Sequence, residues 1–166
     1  PIFGGETSDY TKIGKHLKDI GMGVTSLTSL SPEENIVNPD KKIQQAGVDK
    51  IKWAIDLSCE LGSELLCGPF HSSFKVMTDL PPSSDERKRS AENLSVAAEY
   101  AGSHGVILAP EALNRFECYM YNTMKDLKEL VDTINHPNLG AMYDTHHGNI
   151  EETSQKEAFN TLGSAL

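Results

Sequence analysis

The sequence is poor in the features that stabilise secreted or membrane-embedded proteins. Its 166 residues contain three cysteines, Cys59, Cys67 and Cys118, and no two of them are spaced as a CxxC pair. An odd number of scattered thiols is typical of a reducing compartment, so we expect a cytoplasmic protein. No apolar run reaches the roughly 18 residues of a membrane-spanning helix, and no signal-peptide pattern is visible.

Positive charge is also scarce. There are 15 Lys and Arg residues against 24 Asp and Glu residues, which gives a formal net charge of −9. This balance argues against nucleic acids and anionic membranes as partners, because both repel an acidic surface. It leaves carboxylates free to bind a metal cation. No GxGxxG motif follows the first predicted strand, so a dinucleotide-binding fold has no support.

Short apolar runs alternate with longer helical patterns along the chain. Strands are predicted at residues 23–30, 63–68, 105–111 and 139–144. Helices are predicted at residues 8–20, 39–61, 85–103, 123–135 and 153–166. The alternation is typical of a parallel sheet with crossover helices, as found in doubly wound sheets and in (β/α)8 barrels. No domain boundary interrupts residues 1–166, so a single domain is predicted.

Acidic residues end the last two predicted strands. The run "GVILAPE" ends at Glu111, and "LGAMYD" ends at Asp144. The carboxyl ends of parallel strands share the edge of the sheet that carries function, and neighbouring strands lie about 4.8 Å apart. We therefore expect Glu111 and Asp144 to face one spot. Two carboxylates there would repel each other unless a cation lay between them.

An imidazole lies near this pair in the sequence. His147 follows Asp144 by three residues, near enough to bind the same cation or to contact one of its ligands. Carboxylate with imidazole suits Mn, Co, Fe or Zn, and carboxylate with water suits Mg. Simpler interpretations compete: Glu111 could pair with Arg115 or cap a helix, and Asp144 could belong to a turn. The coincidence of two strand-ending acids favours the metal site.

A polar, proline-rich loop follows the second predicted strand. Its first residues, "GPFHSS", place His71 at the same edge of the sheet, where the loop could contact a hydroxylated ligand or be an ordinary connector. Cys67 lies at the end of this strand without a neighbouring base, which favours a packing role over a nucleophile. Farther along, Glu151 and Glu152 are predicted to cap the last helix.

The segments "EALNRFE" and "YDTHHGNIEE" resemble paired signatures of the ketose 3-epimerases, the D-tagatose and D-psicose (allulose) 3-epimerase group of the xylose-isomerase-like TIM barrels. The segment "PDKKIQQAGVDKIKWAIDLSCELGSELLCGPFHS" resembles the same family from its third to its fourth strand. The resemblance covers nearly the whole chain, in the right order. It implies a partial (β/α)8 TIM barrel in which about four parallel strands match the family's strands three to six.

The resemblance also implies roles for individual residues. Glu111 matches a metal ligand that moves a proton at C3 of the sugar, and Asp144 matches a second metal ligand. Glu117 and His147 match residues that hold substrate oxygens near C1 and C2, and His71 lies in a loop that lines the sugar site. The implied cofactor is a divalent ion, Mn, Co or Mg, and the implied reaction is C3 epimerisation of a ketose through an enediolate.

Length is the largest departure from the family pattern. A TIM barrel needs about 250 residues, and the family's other metal ligands, a His on strand seven and a Glu on strand eight, have no match here. That Glu is also the second proton-transfer carboxylate, so we expect a truncated, inactive epimerase. Two smaller departures are Pro110, which cannot donate a ladder hydrogen bond, and His146, which stands where the family has an apolar aromatic residue.

Other functions stay open on the sequence. An inosose or hydroxypyruvate isomerase or dehydratase would share the barrel, although "NRFE" favours the epimerase. An endonuclease IV-like phosphodiesterase would also share it, but the net charge of −9 argues against DNA binding. A third alternative is a non-catalytic piece that packs its open edges against a second copy. Because exposed strand edges and apolar faces favour such pairing, we expect a homo-oligomer.

Overall fold

The computed structural model describes residues 1–166 and alternates helices with short strands, as predicted. The strands are β1 (Ser26–Leu27), β2 (Leu65–Gly68) and β3 (Ile107–Pro110). The helices are α1 (Thr7–Asp19), α2 (Lys41–Leu61), α3 (Ser84–Ser103), α4 (Met124–Ile134), α5 (Thr145–Glu151) and α6 (Gln155–Leu162). Single 3₁₀ turns lie at Pro32–Glu34 and Gly163–Ala165. No helix is both long enough and apolar enough to cross a membrane.

The three strands form one parallel sheet in the order β1-β2-β3. Leu66 of β2 lies opposite Ser26 on one side and Leu108 on the other, so strands consecutive in the chain are neighbours in space. This order, with a helix after each strand, is the arrangement of a (β/α)8 barrel of which only part is present.

The prediction of a continuous fourth strand at residues 139–144 is wrong. Residues 139–144 keep two isolated parallel bridges, Leu108–Leu139 and Glu111–Met142. The hydrogen bonds from Gly140 N–H to the Leu108 carbonyl and from Met142 N–H to the Pro110 carbonyl are those of a ladder. Pro110 has no N–H to donate between them, so the ladder is interrupted there.

Local capping sets where the long helices begin and end. Asp40 accepts a hydrogen bond from the Lys42 N–H at the start of α2, and Gly62 ends that helix in the left-handed conformation, with φ of 77°. Ser83 and Glu86 form a capping box at the start of α3, and Thr123 with Asp126 forms one at the start of α4. These caps fix the helices within two residues of the predicted bounds.

The C-terminal helical region differs most from its prediction. Helix α5 was not predicted, and the single helix expected at 153–166 is the shorter α6, which Ser154 caps by accepting from the Glu157 N–H. Glu151 and Glu152 do not cap it. Glu151 binds Arg115, and Glu152 accepts a hydrogen bond from the Met124 N–H at 2.7 Å, at the start of α4. Glu151 and Glu152 therefore both bind groups that are distant in the sequence, and neither begins a helix.

The two faces of the sheet have different surroundings. Leu66 and Leu108 are fully buried within the hydrophobic core, to which helices α2, α3 and α4 also contribute. Leu65 and Ile107, one position earlier on each strand, point to the opposite face and line an apolar cavity of about 580 Å³. Ile107 is 44% exposed there. The expected self-association through such a face stays a prediction.

Candidate functional site

Glu111 and Asp144 meet at the carboxyl edge of the sheet, as expected from their positions in the sequence. Glu111 directly follows β3 and is 5% exposed. Asp144 is the N-cap of α5, and its carboxylate accepts a hydrogen bond from the His146 N–H at 2.6 Å. Glu111, Asp144 and His147 place potential ligand atoms within 4.8 Å of one another. The chain therefore brings two carboxylates and an imidazole to one spot.

The two carboxylates perturb each other's protonation. Burial and then the adjacent Asp144 carboxylate raise the pKa of Glu111 to about 7. Burial acts in the same direction on Asp144, but the His146 N–H, followed by His147 and Glu111, outweighs it and lowers the pKa of Asp144. Glu111 is therefore the member of the pair that holds a proton below about pH 7, whereas Asp144 is ionised there.

No lysine or arginine neutralises this pair. The basic group within ion-pair distance of Glu111 is His147, whose Nε2 lies 3.7 Å from Glu111 Oε1. Arg115, the alternative partner considered for Glu111, binds Glu151 instead through two guanidinium nitrogens, at 2.8 and 3.0 Å. Two adjacent carboxylates, one buried and one half-buried, are a donor set that fits a divalent cation.

Glu117 and His147 lie together beside the acidic pair. Glu117, His146 and His147 form a second group whose potential ligand atoms lie within 4.8 Å of one another. His147 is 7% exposed and belongs to both groups, whereas His146 is exposed. The loop from Glu111 to Glu117 and the start of α5 therefore bring Glu111, Glu117 and Asp144 together around His147.

His71 lies beneath the site, and this position does not suit the direct sugar contact expected of it. The ring is fully buried, with Nε2 2.9 Å from the Glu111 carbonyl oxygen and Nδ1 3.0 Å from Ser72 Oγ. Burial lowers the pKa of His71 to about 4, despite the hydrogen bond to the Glu111 carbonyl. Both ring nitrogens are used within the protein because the ring turns inward against Tyr121, so His71 supports the backbone of Glu111.

Asn114 is a site residue that sequence reasoning did not single out. It is 2% exposed, and its side chain contacts both Glu117 and His147. An uncharged amide in a loop carries no periodic or charge signal. The one available hint was its place within "NRFE", between two acids of the candidate site.

Comparison with protein families gives a match over nearly the whole chain. A family model described as "Xylose isomerase-like TIM barrel" matches residues 3–165. A D-psicose 3-epimerase from Ruminiclostridium cellulolyticum is 32% identical over 151 residues, covering 88% of this chain and 51% of that protein. An L-ribulose 3-epimerase from Mesorhizobium japonicum is 29% identical over 144 residues, covering 87% of this chain and 48% of that protein.

Solved structures agree with the sequence comparisons. A structure of L-ribulose 3-epimerase superposes with a TM-score of 0.91 at 28% identity, covering 95% of this chain and 53% of that chain. The D-psicose 3-epimerase with D-tagatose from Clostridium cellulolyticum H10 gives a TM-score of 0.90 at 28% identity, covering 98% of this chain and 56% of that chain. This chain thus spans about half the length of the relatives it matches.

Proposed function

We propose, from the premise that this chain belongs to the xylose isomerase-like TIM barrel family, that its site is part of the centre of a metal-dependent ketose 3-epimerase. The observation that carries the proposal is the contact between buried Glu111 and half-buried Asp144, beside His147 and without a lysine or arginine partner. The ketose 3-epimerase names of several relatives support this reaction and a ketose as substrate.

Glu111 and Asp144 are the residues that would hold the divalent ion, with Mn, Co or Mg as candidates. Such an ion would supply positive charge that stabilises the negative charge developing on substrate oxygens during proton removal. The raised pKa of Glu111 supports this assignment, because a cation would replace the proton on Glu111 and relieve the repulsion between the two carboxylates.

Glu111 is also the proposed proton-transfer group at C3 of the ketose. A carboxylate can take that proton if it lies within hydrogen-bond reach of the substrate carbon. Epimerisation needs a second group that returns the proton to the opposite face. The glutamate to which the family resemblance gives that role has no match within residues 1–166. This chain would therefore supply one of the two proton-transfer groups.

Glu117 and His147 would hold the oxygens near C1 and C2. Their potential ligand atoms lie within 4.8 Å of each other, and His147 is also within that distance of Glu111. A carboxylate accepts from sugar hydroxyls and an imidazole N–H donates to a carbonyl or hydroxyl oxygen, so the two groups suit adjacent oxygens of one ketose.

The proposal is tested by paramagnetic line broadening of D-psicose in the presence of Mn²⁺ and this chain. We expect the ¹³C signals of C2 and C3 to broaden more with the wild-type chain than with Mn²⁺ alone, and the extra broadening to be lost in Glu111→Gln. Glu129→Gln is a matched control, because Glu129 is an exposed acid on α4. Equal broadening with wild type and Glu111→Gln would contradict the proposed site.

A further inference from the structure

We propose that Asn114 is a positioning residue that fixes the tautomer of His147 and the orientation of Glu117. The consequence for catalysis rests on the proposed function. The hydrogen bonds of Asn114 are independent of that function. Asn114 lies in the loop after β3, three residues from Glu111 and three from Glu117. Its side chain is thus placed between the two acids of the loop.

The orientation of the Asn114 amide is defined by its neighbours. Its Oδ1 accepts a hydrogen bond from the Phe116 N–H at 3.0 Å. Its Nδ2 lies 3.0 Å from Glu117 Oε1, a carboxylate oxygen that can only accept. A flipped amide would place an oxygen against that carboxylate and an NH₂ against the Phe116 N–H, so both contacts exclude the alternative.

Two donors of Asn114 converge on one nitrogen of His147. The backbone N–H of Asn114 lies 3.1 Å from His147 Nδ1, and the side-chain Nδ2 lies 2.9 Å from the same atom. A ring nitrogen that accepts a hydrogen bond carries no proton, so the neutral ring must carry its proton on Nε2. That nitrogen is the one 3.7 Å from Glu111 Oε1.

This tautomer decides what His147 can do in the site. The Nε2–H group has no free lone pair, and Nδ1 already accepts from Asn114, so the neutral ring cannot bind a cation through either nitrogen. His147 therefore acts as a hydrogen-bond donor toward an oxygen beside Glu111, although it lies within ligand distance of Glu111 and Asp144. Asn114, through its backbone N–H and its side-chain amide, thus makes His147 a hydrogen-bond donor and leaves the ligand role to the two acids.

The side-chain amide of Asn114 that contacts His147 also orients the carboxylate of Glu117. The hydrogen bond from Nδ2 to Glu117 Oε1 holds one carboxylate oxygen and leaves the other available to accept from a ligand hydroxyl. The Asn114 carbonyl also accepts from the backbone N–H groups of Glu117 and Cys118, at 2.9 and 3.1 Å. Loss of the side chain would therefore release Glu117 and remove one of the two donors to His147 Nδ1, whereas the turn would keep its backbone hydrogen bonds.

The first test is the tautomer of His147 in the metal-free wild-type chain, without substrate. Long-range ¹H–¹⁵N correlation spectra of ¹⁵N-histidine-labelled protein distinguish protonated from unprotonated ring nitrogens, and His147→Gln assigns the signals. We expect a protonated Nε2 and an unprotonated Nδ1. A protonated Nδ1 would overturn the proposal. Because neither metal nor sugar is present, this result is independent of whether the proposed epimerase function is correct.

The second test asks whether Asn114 acts on the His147 ring itself or only stabilises the loop after β3. Asn114→Asp replaces the side-chain donor with a carboxylate and keeps the backbone N–H. A carboxylate at that place accepts from Nδ1 more strongly than the backbone N–H donates to it, so we expect the Nδ1 signal of His147 to shift from the unprotonated to the protonated range. Asn122→Asp is the matched control. The Asn122 amide donates to the carbonyls of Leu113 and Cys118, at 2.6 and 2.9 Å, so it holds the same loop and makes no hydrogen bond to His147.

Circular dichroism melting checks that both variants fold. The proposal fails if folded Asn114→Asp keeps the wild-type His147 signals, or if Asn122→Asp produces the same shift. If Asn114→Asp does not fold, the wild-type tautomer decides the question alone.

Discussion

Two glutamates with little-exposed side chains, Glu151 and Glu111, have partners of opposite charge. The side chain of Glu151 is 4% exposed and binds the Arg115 guanidinium at 2.8 Å. The side chain of Glu111 is 7% exposed and faces the Asp144 carboxylate. Burial opposes ionisation at both, but hydrogen bonds from Arg115 outweigh it and lower the pKa of Glu151, whereas Asp144 helps to raise that of Glu111. The fold provides a permanent cation for one acid and none for the other.

This difference in partners distinguishes Glu151, which has a structural role, from Glu111, for which we propose a functional one. Arg115 and Glu151 connect the loop after β3 to the end of α5, so their ion pair fixes the backbone that carries the site. The pair of Glu111 and Asp144 costs stability in the absence of a cation, because two carboxylates compete for one proton. Perturbed groups of this kind are concentrated at functional sites.

The largest expected effect concerns catalysis. We predict that supplying a cation to the Glu111 region does not make this chain an epimerase. The 166-residue protein is expected to leave D-fructose, D-tagatose and D-psicose unchanged at C3 even with Mn²⁺ or Co²⁺, because a second proton-transfer group is needed. Chromatography of the sugars after long incubation measures this, with a full-length relative as positive control. Robust epimerisation by the pure chain would show that one carboxylate suffices or that another side chain replaces the second.

The next effect is on stability and its pH dependence. Glu111 has a pKa of about 7 in the fold against an ordinary value of 4.5, so the folded chain holds a proton that the unfolded chain releases between these values. This stabilising contribution is fully present below about pH 4.5 and is lost as the pH rises through about 7. At about 1.36 kcal/mol per unit of pKa, the full shift corresponds to about 3.4 kcal/mol, and solvent screening at the edge of the sheet makes the loss smaller than this.

Glu111→Gln mimics the protonated acid and should remove this loss. We expect the metal-free variant to be more stable than wild type at pH 8, by up to about 3 kcal/mol, and nearly equal to it at pH 4.5. Urea unfolding at both pH values measures the difference. A variant less stable than wild type at pH 8 would contradict the unfavourable contact between Glu111 and Asp144.

A bound cation should remove the difference between Glu111 and Glu151, because both acids would then have a positively charged partner. At a Mn²⁺ concentration one hundred times its dissociation constant, binding to the folded state alone stabilises it by about 2.7 kcal/mol. We expect Mn²⁺ to raise the melting temperature of wild type at pH 8 and to have little effect on Asp144→Asn. An equal rise in both proteins would place the ion elsewhere.

The smallest effect on stability is expected at Glu151, the acid that Arg115 neutralises. Glu151→Gln removes the ion pair with Arg115, and we expect a loss of about 1 kcal/mol, because the guanidinium is 62% exposed and water partly replaces its partner. The same chemical change thus stabilises the chain at position 111 and destabilises it at position 151. Urea unfolding at pH 8 compares the two signs directly, and a stabilising Glu151→Gln would remove the distinction between the two regions.

Much of the fold could be predicted from local patterns. Helix α2 lies where apolar residues recur at helical spacing, and its ends depend on Asp40 and Gly62, residues whose capping preference is local. Strands β2 and β3 coincide with short apolar runs, but both are shorter than predicted because strand ends depend on partners elsewhere in the chain. Helix α5 was missed because "THHGNIE" has no apolar stripe, and its start depends on Asp144 as the N-cap.

The sequence by itself determined which acids end the apolar runs, and parallel strand geometry was enough to bring Glu111 and Asp144 together. It could not decide the partners of the remaining polar groups. Arg115 pairs with Glu151 and not with Glu111, His71 turns inward, and Asn114 donates to His147, each across 33 to 40 residues of chain. Such contacts depend on the directions of individual side chains in loops that carry no repeating pattern, and only the tertiary structure fixes those directions.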